Sequence, residues 1–144
     1  VDVQQFARYR VYLAAPLFSE AERSYNAALA ALLKEHFFEV YVPQDAGDDT
    51  HGRDPAEQQR IFTALREALD AADAVVAVID GADADSGTAW EMGYAAAHKK
   101  PVYALRTDFR KVGLHEHVNL MLEQSATLVT GRDALLAALG SPRV

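Results

Sequence analysis

The fold of this chain is decided by the stretch Ala74-Val-Val-Ala-Val-Ile-Asp80, which is followed closely by Asp85-Ser-Gly-Thr-Ala-Trp-Glu-Met-Gly93. An uninterrupted aliphatic run predicts a strand buried on both faces, as in a parallel sheet covered by helices. Ser86 is the predicted N-cap of the next helix, which we expect over Thr88–His98. Glu91 then falls in or near the first helical turn, where the helix dipole stabilises an ionised carboxylate. This strand-to-helix connection is therefore where we expect function.

Strands and helices alternate on both sides of this connection, which is typical of a doubly wound α/β domain. Strands are predicted over 10–15, 39–42, 74–80, 101–106 and 126–130, and helices over 19–37, 54–72, 88–98, 119–124 and 133–139. The polar segment 44–54 is a predicted loop. Five strands with right-handed crossovers favour a flavodoxin-like parallel sheet of order 2-1-3-4-5 with helices on both faces. We expect residues 1–144 to form one domain.

In this order the topological switch point, where the strand order reverses, lies between the first and third strands, and ligands bind in the crevice outside the carboxyl ends there. The loop Ala15-Pro-Leu-Phe18 and the loop 81–91 meet at that crevice. Phe18 and Gly87 are therefore candidate substrate-binding residues, together with the acids Asp85 and Glu91.

Composition limits the classes of partner. The chain has 144 residues and a net charge of −7, which argues against a nucleic-acid polymer or an anionic membrane as partner. It has no cysteine, which excludes disulfides and thiolate nucleophiles. No apolar stretch approaches the roughly 20 residues that span a bilayer, and no signal peptide is evident. We expect a cytoplasmic enzyme or binding protein.

Four segments together resemble the nucleoside 2-deoxyribosyltransferase family. They are Tyr12-Leu-Ala-Ala-Pro-Leu-Phe18, Val42-Pro-Gln-Asp45, Asp85-Ser-Gly-Thr-Ala-Trp-Glu-Met-Gly93 and Asn119-Leu-Met-Leu122. The resemblance extends from about residue 10 to residue 139. It implies a flavodoxin-like fold and cleavage of the N-glycosidic bond of a 2′-deoxynucleoside. The deoxyribosyl group passes to the enzyme and then to another nucleobase.

The resemblance also implies roles for individual residues. Glu91 matches the nucleophile that attacks C1′, and Tyr12 matches the residue that hydrogen-bonds and orients that carboxylate. Asp85 matches an acid that helps hold the sugar 5′-hydroxyl and part of the base. Gln44 lies where the family's loop after the second strand approaches the base.

Asn119 and Met121 match residues that typically reach into the active site of a neighbouring subunit. The resemblance therefore implies a homo-oligomer, a dimer or larger, with shared sites. It implies no metal and no cofactor. The pair His115-Glu-His117 is weak evidence for a metal site, because two histidines two residues apart in a polar loop lack a ligand pattern.

One position departs from the family pattern. Many members have an acid eight residues before the aspartate that opens the third strand. That aspartate is Asp73 here, and the earlier position is Leu65. An apolar side chain cannot protonate or hydrogen-bond a base. Glu67, Asp45 and Gln44 are possible substitutes, and the sequence does not choose between them.

The chemistry suits these residue types. N-glycoside cleavage passes through an oxocarbenium-like transition state, which a carboxylate close to C1′ stabilises or attacks. Each of these residues also has a purely structural interpretation. Glu91 could be a first-turn glutamate that complements the helix dipole, and Asp85 could be a solvated loop acid. Tyr12 could be a core residue, and Asn119 and Met121 could be a cap and a core residue of a short helix. Trp90 and Met92 are predicted to pack rather than to contact a ligand.

Three functions remain open from the sequence. Deoxyribosyl transfer between bases is the leading hypothesis. The second is hydrolysis of 2′-deoxynucleosides or their 5′-monophosphates, although the apolar first loop and Asp85 favour a nucleoside over a nucleotide. The third is a non-catalytic nucleotide-binding module, in which Glu91 is dispensable.

Overall fold

The computed structural model of the chain describes residues 9–46 and 53–140. These segments contain strands β1 (Arg10–Ala14), β2 (Glu39–Tyr41), β3 (Ala74–Val78), β4 (Val102–Leu105) and β5 (Thr127–Val129). The helices are α1 (Glu20–Glu35), α2 (Pro55–Ala71), α3 (Ser86–Ala97), α4 (Leu120–Gln124) and α5 (Arg132–Gly140). A 3-10 helix, Pro43–Ala46, replaces the start of the predicted loop. Residues 47–52 of that loop lie outside the described residues.

The five strands form one sheet in the order β2-β1-β3-β4-β5, and every neighbouring pair is parallel. The predicted flavodoxin-like order is therefore confirmed. In the central pair, Tyr12 of β1 is in register with Val75 of β3. The strand order reverses between β1 and β3, so a crevice opens at their carboxyl ends.

Alternate residues of β1 face opposite sides of the sheet, as the twofold period of a strand requires. Val11 and Leu13 belong to a buried cluster that includes Leu29 and Leu33 of α1 and Leu135 and Leu139 of α5. Tyr12 and Ala14 belong to a second cluster, with Leu69 of α2 and Met92 and Ala95 of α3. The predicted placement of helices on both faces is confirmed. Tyr12 consequently points towards the helices that border the crevice.

Local signals account for the helix starts. The Ser19 hydroxyl accepts a hydrogen bond from the Glu22 amide, and the Glu22 carboxylate accepts one from the Ser19 amide, which completes the predicted capping box. Asp54 caps α2, and Pro55 occupies its first turn as predicted. None of the helices within residues 9–46 and 53–140 combines the length and the apolarity that crossing a bilayer requires.

Candidate active site

A cavity of about 540 Å³ lies at the carboxyl ends of β1, β2 and β3. Its walls come from the loop after β1, the 3-10 helix after β2, one face of α2 and the start of α3. The described lining residues are Ala15, Leu17, Phe18, Pro43, Gln44, Arg53, Ile61, Phe62, Leu65, Arg66, Leu69, Asp85, Ser86, Gly87, Thr88, Trp90 and Glu91. The cavity therefore occupies the crevice that the strand order predicts.

Asp85 is the N-cap of α3. Its Oδ2 accepts hydrogen bonds from the amide and the hydroxyl of Thr88, at 3.1 and 3.3 Å. The prediction that Ser86 caps this helix is wrong, and α3 starts two residues before the predicted Thr88. A carboxylate is an excellent cap because it accepts the free amides of the first turn. The same side chain lines the cavity, so Asp85 holds its negative charge at the cavity wall.

Glu91 is the sixth residue of α3 and lies in the second helical turn. The sequence predicted a position in or near the first turn, and Glu91 lies one turn further along, where the stabilisation by the helix dipole has fallen off. Instead, burial raises the pKa of Glu91 from 4.5 to about 7, the Tyr12 hydrogen bond opposes this rise, and the charge of Asp85 adds to it. Glu91 thus takes up and releases its proton near neutral pH.

Tyr12 lies beneath Glu91, and its hydroxyl donates a hydrogen bond to Oε2 of that carboxylate. Tyr12 is fully buried and its ring stacks on Tyr41 of β2, with 5.4 Å between the ring centroids. Burial, followed by the nearby charge of Glu91, raises the pKa of the Tyr12 phenol far above its ordinary value. The phenol is therefore a permanent donor that fixes the orientation of the carboxylate from the core side.

Gly87 and Phe18 both line the cavity, as predicted for candidate substrate-binding residues. A Cβ atom at Gly87 would lie 3.3 Å from Oδ2 of Asp85, which is a tight contact. A side chain there would crowd the capping carboxylate. Phe18 is 64% exposed and lies at the cavity edge, where its ring is available to a ligand.

The wall formed by α2 is apolar. Ile61, Leu65 and Leu69 are spaced by four residues and line the cavity from one face of the helix. Leu65, the position that departs from the family pattern, therefore borders the cavity directly. Of its possible substitutes, Glu67 and Asp45 are exposed and do not line the cavity, whereas Gln44 does.

Both polar atoms of the Gln44 side-chain amide form hydrogen bonds within the protein. Its Oε1 accepts from Nδ2 of Asn26 at 3.1 Å, and its Nε2 donates to the carbonyl of Arg23 at 2.9 Å. The buried Asn26 also donates to the carbonyl of Pro16. This network joins α1 to the loops after β1 and β2. Asn26 was not among the predicted site residues. The sequence does indicate it, because it is a polar residue within the apolar face of α1.

The sequence analysis also missed the aromatic and cationic residues at the cavity edge. Trp90 packs as predicted, stacked on Tyr94 with 5.3 Å between centroids, but it is 48% exposed and also lines the cavity. Phe62 of α2 meets Trp90 edge to face at 5.7 Å. Arg53 and Arg66 line the same cavity. Met92 is fully buried, which confirms its predicted packing role.

A buried arginine supports the loop between β3 and α3. Arg106 donates from its guanidinium to the carbonyls of Ile79 and Gly81, and to that of Arg110. Gly81 adopts φ +109°, a left-handed conformation that favours glycine. These hydrogen bonds therefore connect the end of β3 to the segment after β4. They also fix the start of the loop that leads to Asp85.

Asn119 and Met121 lie outside the cavity of their own chain. The side chain of Asn119 caps α4 by accepting from the Met121 amide at 2.9 Å. Met121 is 71% exposed, which excludes the structural reading of a core residue within this chain. Their predicted contact with a neighbouring subunit stays a prediction. Within the described residues no cluster of three or more histidine, aspartate or glutamate side chains is arranged to hold a metal ion.

The family model described as nucleoside 2-deoxyribosyltransferase matches residues 11–130. The chain belongs to this family. The family acts on nucleosides and nucleobases, and the matched region includes β1 to β5 with every residue that lines the cavity.

The chain is also similar to known proteins in sequence and fold. A conserved protein from Enterococcus faecalis V583 is 30% identical, with a TM-score of 0.76, over 93% of this chain and 98% of that chain. The 2-deoxyribosyltransferase from Bacillus psychrosaccharolyticus is 23% identical, with the same TM-score of 0.76, over 94% and 99% of the two chains, which shows a common fold. Uncharacterized protein UU063 of Ureaplasma parvum serovar 3 is 29% identical over 131 residues, covering 81% of this chain and 80% of its own length.

Proposed function

We propose that this protein transfers the 2-deoxyribosyl group between nucleobases through a covalent glycosyl intermediate on Glu91. The observation that carries this proposal is the Tyr12 hydrogen bond to Glu91, at a cavity wall that Asp85 also lines. A buried phenol that orients one carboxylate, with a second acid nearby, suits nucleophilic attack on a sugar carbon. Family membership supports the same reaction.

In the first step, ionised Glu91 attacks C1′ as the bond from C1′ to the base nitrogen breaks. Since burial raises the pKa of Glu91 to about 7, the reactive carboxylate becomes available as the pH rises through neutrality. A desolvated carboxylate is also a stronger nucleophile than a hydrated one. In the second step, another base attacks C1′ from the side that the first base left, and the configuration is retained.

We assign Asp85 to binding the sugar of the substrate. Its Oδ2 caps α3, and we assign Oδ1 to the 5′-hydroxyl. The adjoining wall from the loop after β1 consists of Ala15, Leu17 and Phe18, which offer a phosphate no side-chain donor. A 5′-phosphate would also be repelled by the Asp85 carboxylate. These features favour 2′-deoxynucleosides over their 5′-monophosphates as substrates.

We further propose that two or more copies assemble and share sites through α4. Leu120 is 51% exposed and Met121 is 71% exposed, so α4 presents apolar surface suited to a second subunit. Asn119 lies at the start of the same helix. Light scattering on the purified protein tests the assembly. Met121→Asp should weaken the assembly together with activity, whereas Gln124→Glu, which changes charge at an exposed position of the same helix with no loss of apolar surface, should weaken neither.

Exchange of bases requires free nucleosides and nucleobases, so we propose a role in nucleoside salvage in the cytoplasm. The test is incubation with a 2′-deoxynucleoside and a second free base, followed by chromatography of the products. A new 2′-deoxynucleoside is the expected result. Release of free base and deoxyribose with no exchange would replace transfer with hydrolysis, and no turnover would favour a non-catalytic binding module.

A matched pair of variants separates catalysis from folding. Glu91→Ala should abolish exchange, because no other group is assigned to attack C1′. Glu67→Ala is the control, since Glu67 is exposed on α2 and does not line the cavity. If Glu91→Ala retains the exchange rate of the wild type, the assignment of the nucleophile is wrong.

A further inference from the structure

The acidic and basic residues of the cavity lie on opposite sides of it. Among the described lining residues the carboxylates are Asp85 and Glu91, and both belong to the α3 side. The α2 wall opposite presents Ile61, Leu65 and Leu69. The described part of this wall therefore contains no acid that could protonate a departing base.

The cations lie on the α2 side. Arg66 follows Leu65 directly and lines the cavity, and its guanidinium carbon is 5.8 Å from the centroid of the Phe62 ring. Arg53, just before α2, lines the cavity as well. A guanidinium stays charged at every accessible pH and donates to carbonyl or oxyanion oxygens in a fixed planar geometry. The α2 side of the cavity is thus suited to binding a negatively charged group.

Nucleobases differ in how readily they leave without a proton. Uracil and thymine carry ring carbonyls on both sides of N3, so the negative charge left on N1 spreads onto oxygen atoms. Cytosine carries an amino group in place of one of these carbonyls, so its anion holds the charge less well and its departure depends more on protonation. A general acid contributes about 10²–10⁴ to such a reaction, so the absence of an acid from the described part of the α2 wall separates cytosine from uracil and thymine.

Resting on the proposed function, we propose that the base departs as an anion whose charge Arg66 stabilises, and that the enzyme acts on 2′-deoxynucleosides of oxo-bases such as uracil and thymine. Leu65 is the specificity-determining residue, because it cannot supply the proton that a departing cytosine needs. Phe62, next to Arg66, supplies an aromatic surface for the base.

The step balances without a protein acid. An oxygen of Glu91 forms the bond to C1′, and the bond from C1′ to N1 breaks with its electron pair on N1. The charge is delocalised to the ring oxygens, where Arg66 donates hydrogen bonds. Water then supplies the proton that converts the released anion to the neutral base. In the return step the incoming base loses its proton to water before it attacks C1′.

A substrate series on the wild-type protein tests this inference without any substitution. Base release is measured for 5-fluoro-2′-deoxyuridine, 2′-deoxyuridine, thymidine and 2′-deoxycytidine, with one acceptor base in excess. We expect kcat/KM to fall with decreasing acidity of the leaving base, and 2′-deoxycytidine to react at least about a hundredfold more slowly than 2′-deoxyuridine. Equal rates across the series would overturn the inference while leaving the proposed function in place. No release from any substrate would overturn both.

Variants then assign the effect to residues. Leu65→Asp should raise activity on 2′-deoxycytidine and make that activity fall at high pH, whereas Leu65→Asn, which offers no acid, should not raise it. Arg66→Gln should lower kcat/KM for 2′-deoxyuridine by about tenfold, and Arg66→Lys should retain more of the wild-type kcat/KM than Arg66→Gln does. Arg60→Gln, on the same helix and outside the cavity lining, is the control. Unchanged kinetics of Arg66→Gln on every substrate would contradict the role of Arg66.

Discussion

The half-buried carboxylate of Glu91 makes the stability of this protein depend on pH, and Glu91→Gln should remove that contribution. Burial raises the pKa of Glu91 from 4.5 to about 7 in the folded state. A raised pKa means that the folded state holds the proton more tightly than the unfolded chain does. The associated stability is fully present below pH 4.5 and is lost as the pH rises through 7. Glutamine keeps the acceptor for Tyr12 but cannot ionise.

The magnitude follows from the two pKa values. Each unit of difference corresponds to about 1.4 kcal/mol, so the wild type loses up to about 3 kcal/mol of unfolding free energy between pH 4.5 and pH 8. The unfolding free energy of Glu91→Gln should therefore exceed that of the wild type by up to about 3 kcal/mol at pH 8, and by about 1 kcal/mol at pH 5. For a chain of this size, 3 kcal/mol is a rise in melting temperature of roughly 10 °C.

The assay is urea unfolding at pH 5, 6, 7 and 8, with the unfolding free energy obtained by linear extrapolation. Glu67→Gln serves as the control, because it removes one carboxyl from an exposed position of α2. The difference between Glu91→Gln and the wild type isolates Glu91 from other titrating groups. An equal difference at all four pH values, or no gain at pH 8, would refute the argument from burial.

Three further predictions test neighbours of Glu91 and one helix cap. Tyr12→Phe removes the hydrogen bond that lowers the pKa of Glu91, so the acid limb of kcat/KM should move to higher pH by about one unit; a limb that stays in place would contradict the role of the phenol. Asp85→Asn removes the charge that raises the same pKa and keeps an N-cap, so the limb should move to lower pH. Ser19→Ala breaks the capping box with Glu22 and should cost about 1 kcal/mol in urea unfolding, with kcat/KM unchanged.

The sheet could be predicted from the sequence because its signals are local. The aliphatic run 74–78 is buried along its whole length, and the capping signals at Ser19 and Asp54 act within a few residues. Short connections and right-handed crossovers then left few possible strand orders. The location of the site followed from the strand order, and this is why the cavity lies where it was predicted.

The finer features of the site depend on contacts that the sequence does not contain. The start of α3 was misplaced by two residues because Asp85 and Ser86 are both good caps, and that error placed Glu91 in the wrong turn. The raised pKa of Glu91 depends on burial produced by distant elements. The bond between Asn26 and Gln44 joins residues 18 positions apart. Pairings of this kind become visible only when α1 is packed on the sheet.

The central claim is that Glu91 bonds covalently to the sugar. The most direct test is intact-mass spectrometry of the protein, quenched in acid after brief incubation with a 2′-deoxynucleoside, followed by peptide mapping. The account predicts a mass gain of one deoxyribosyl group on the peptide that contains Glu91, and loss of that gain when free base is added before the quench. Base release with no adduct, or an adduct on another residue, would contradict it.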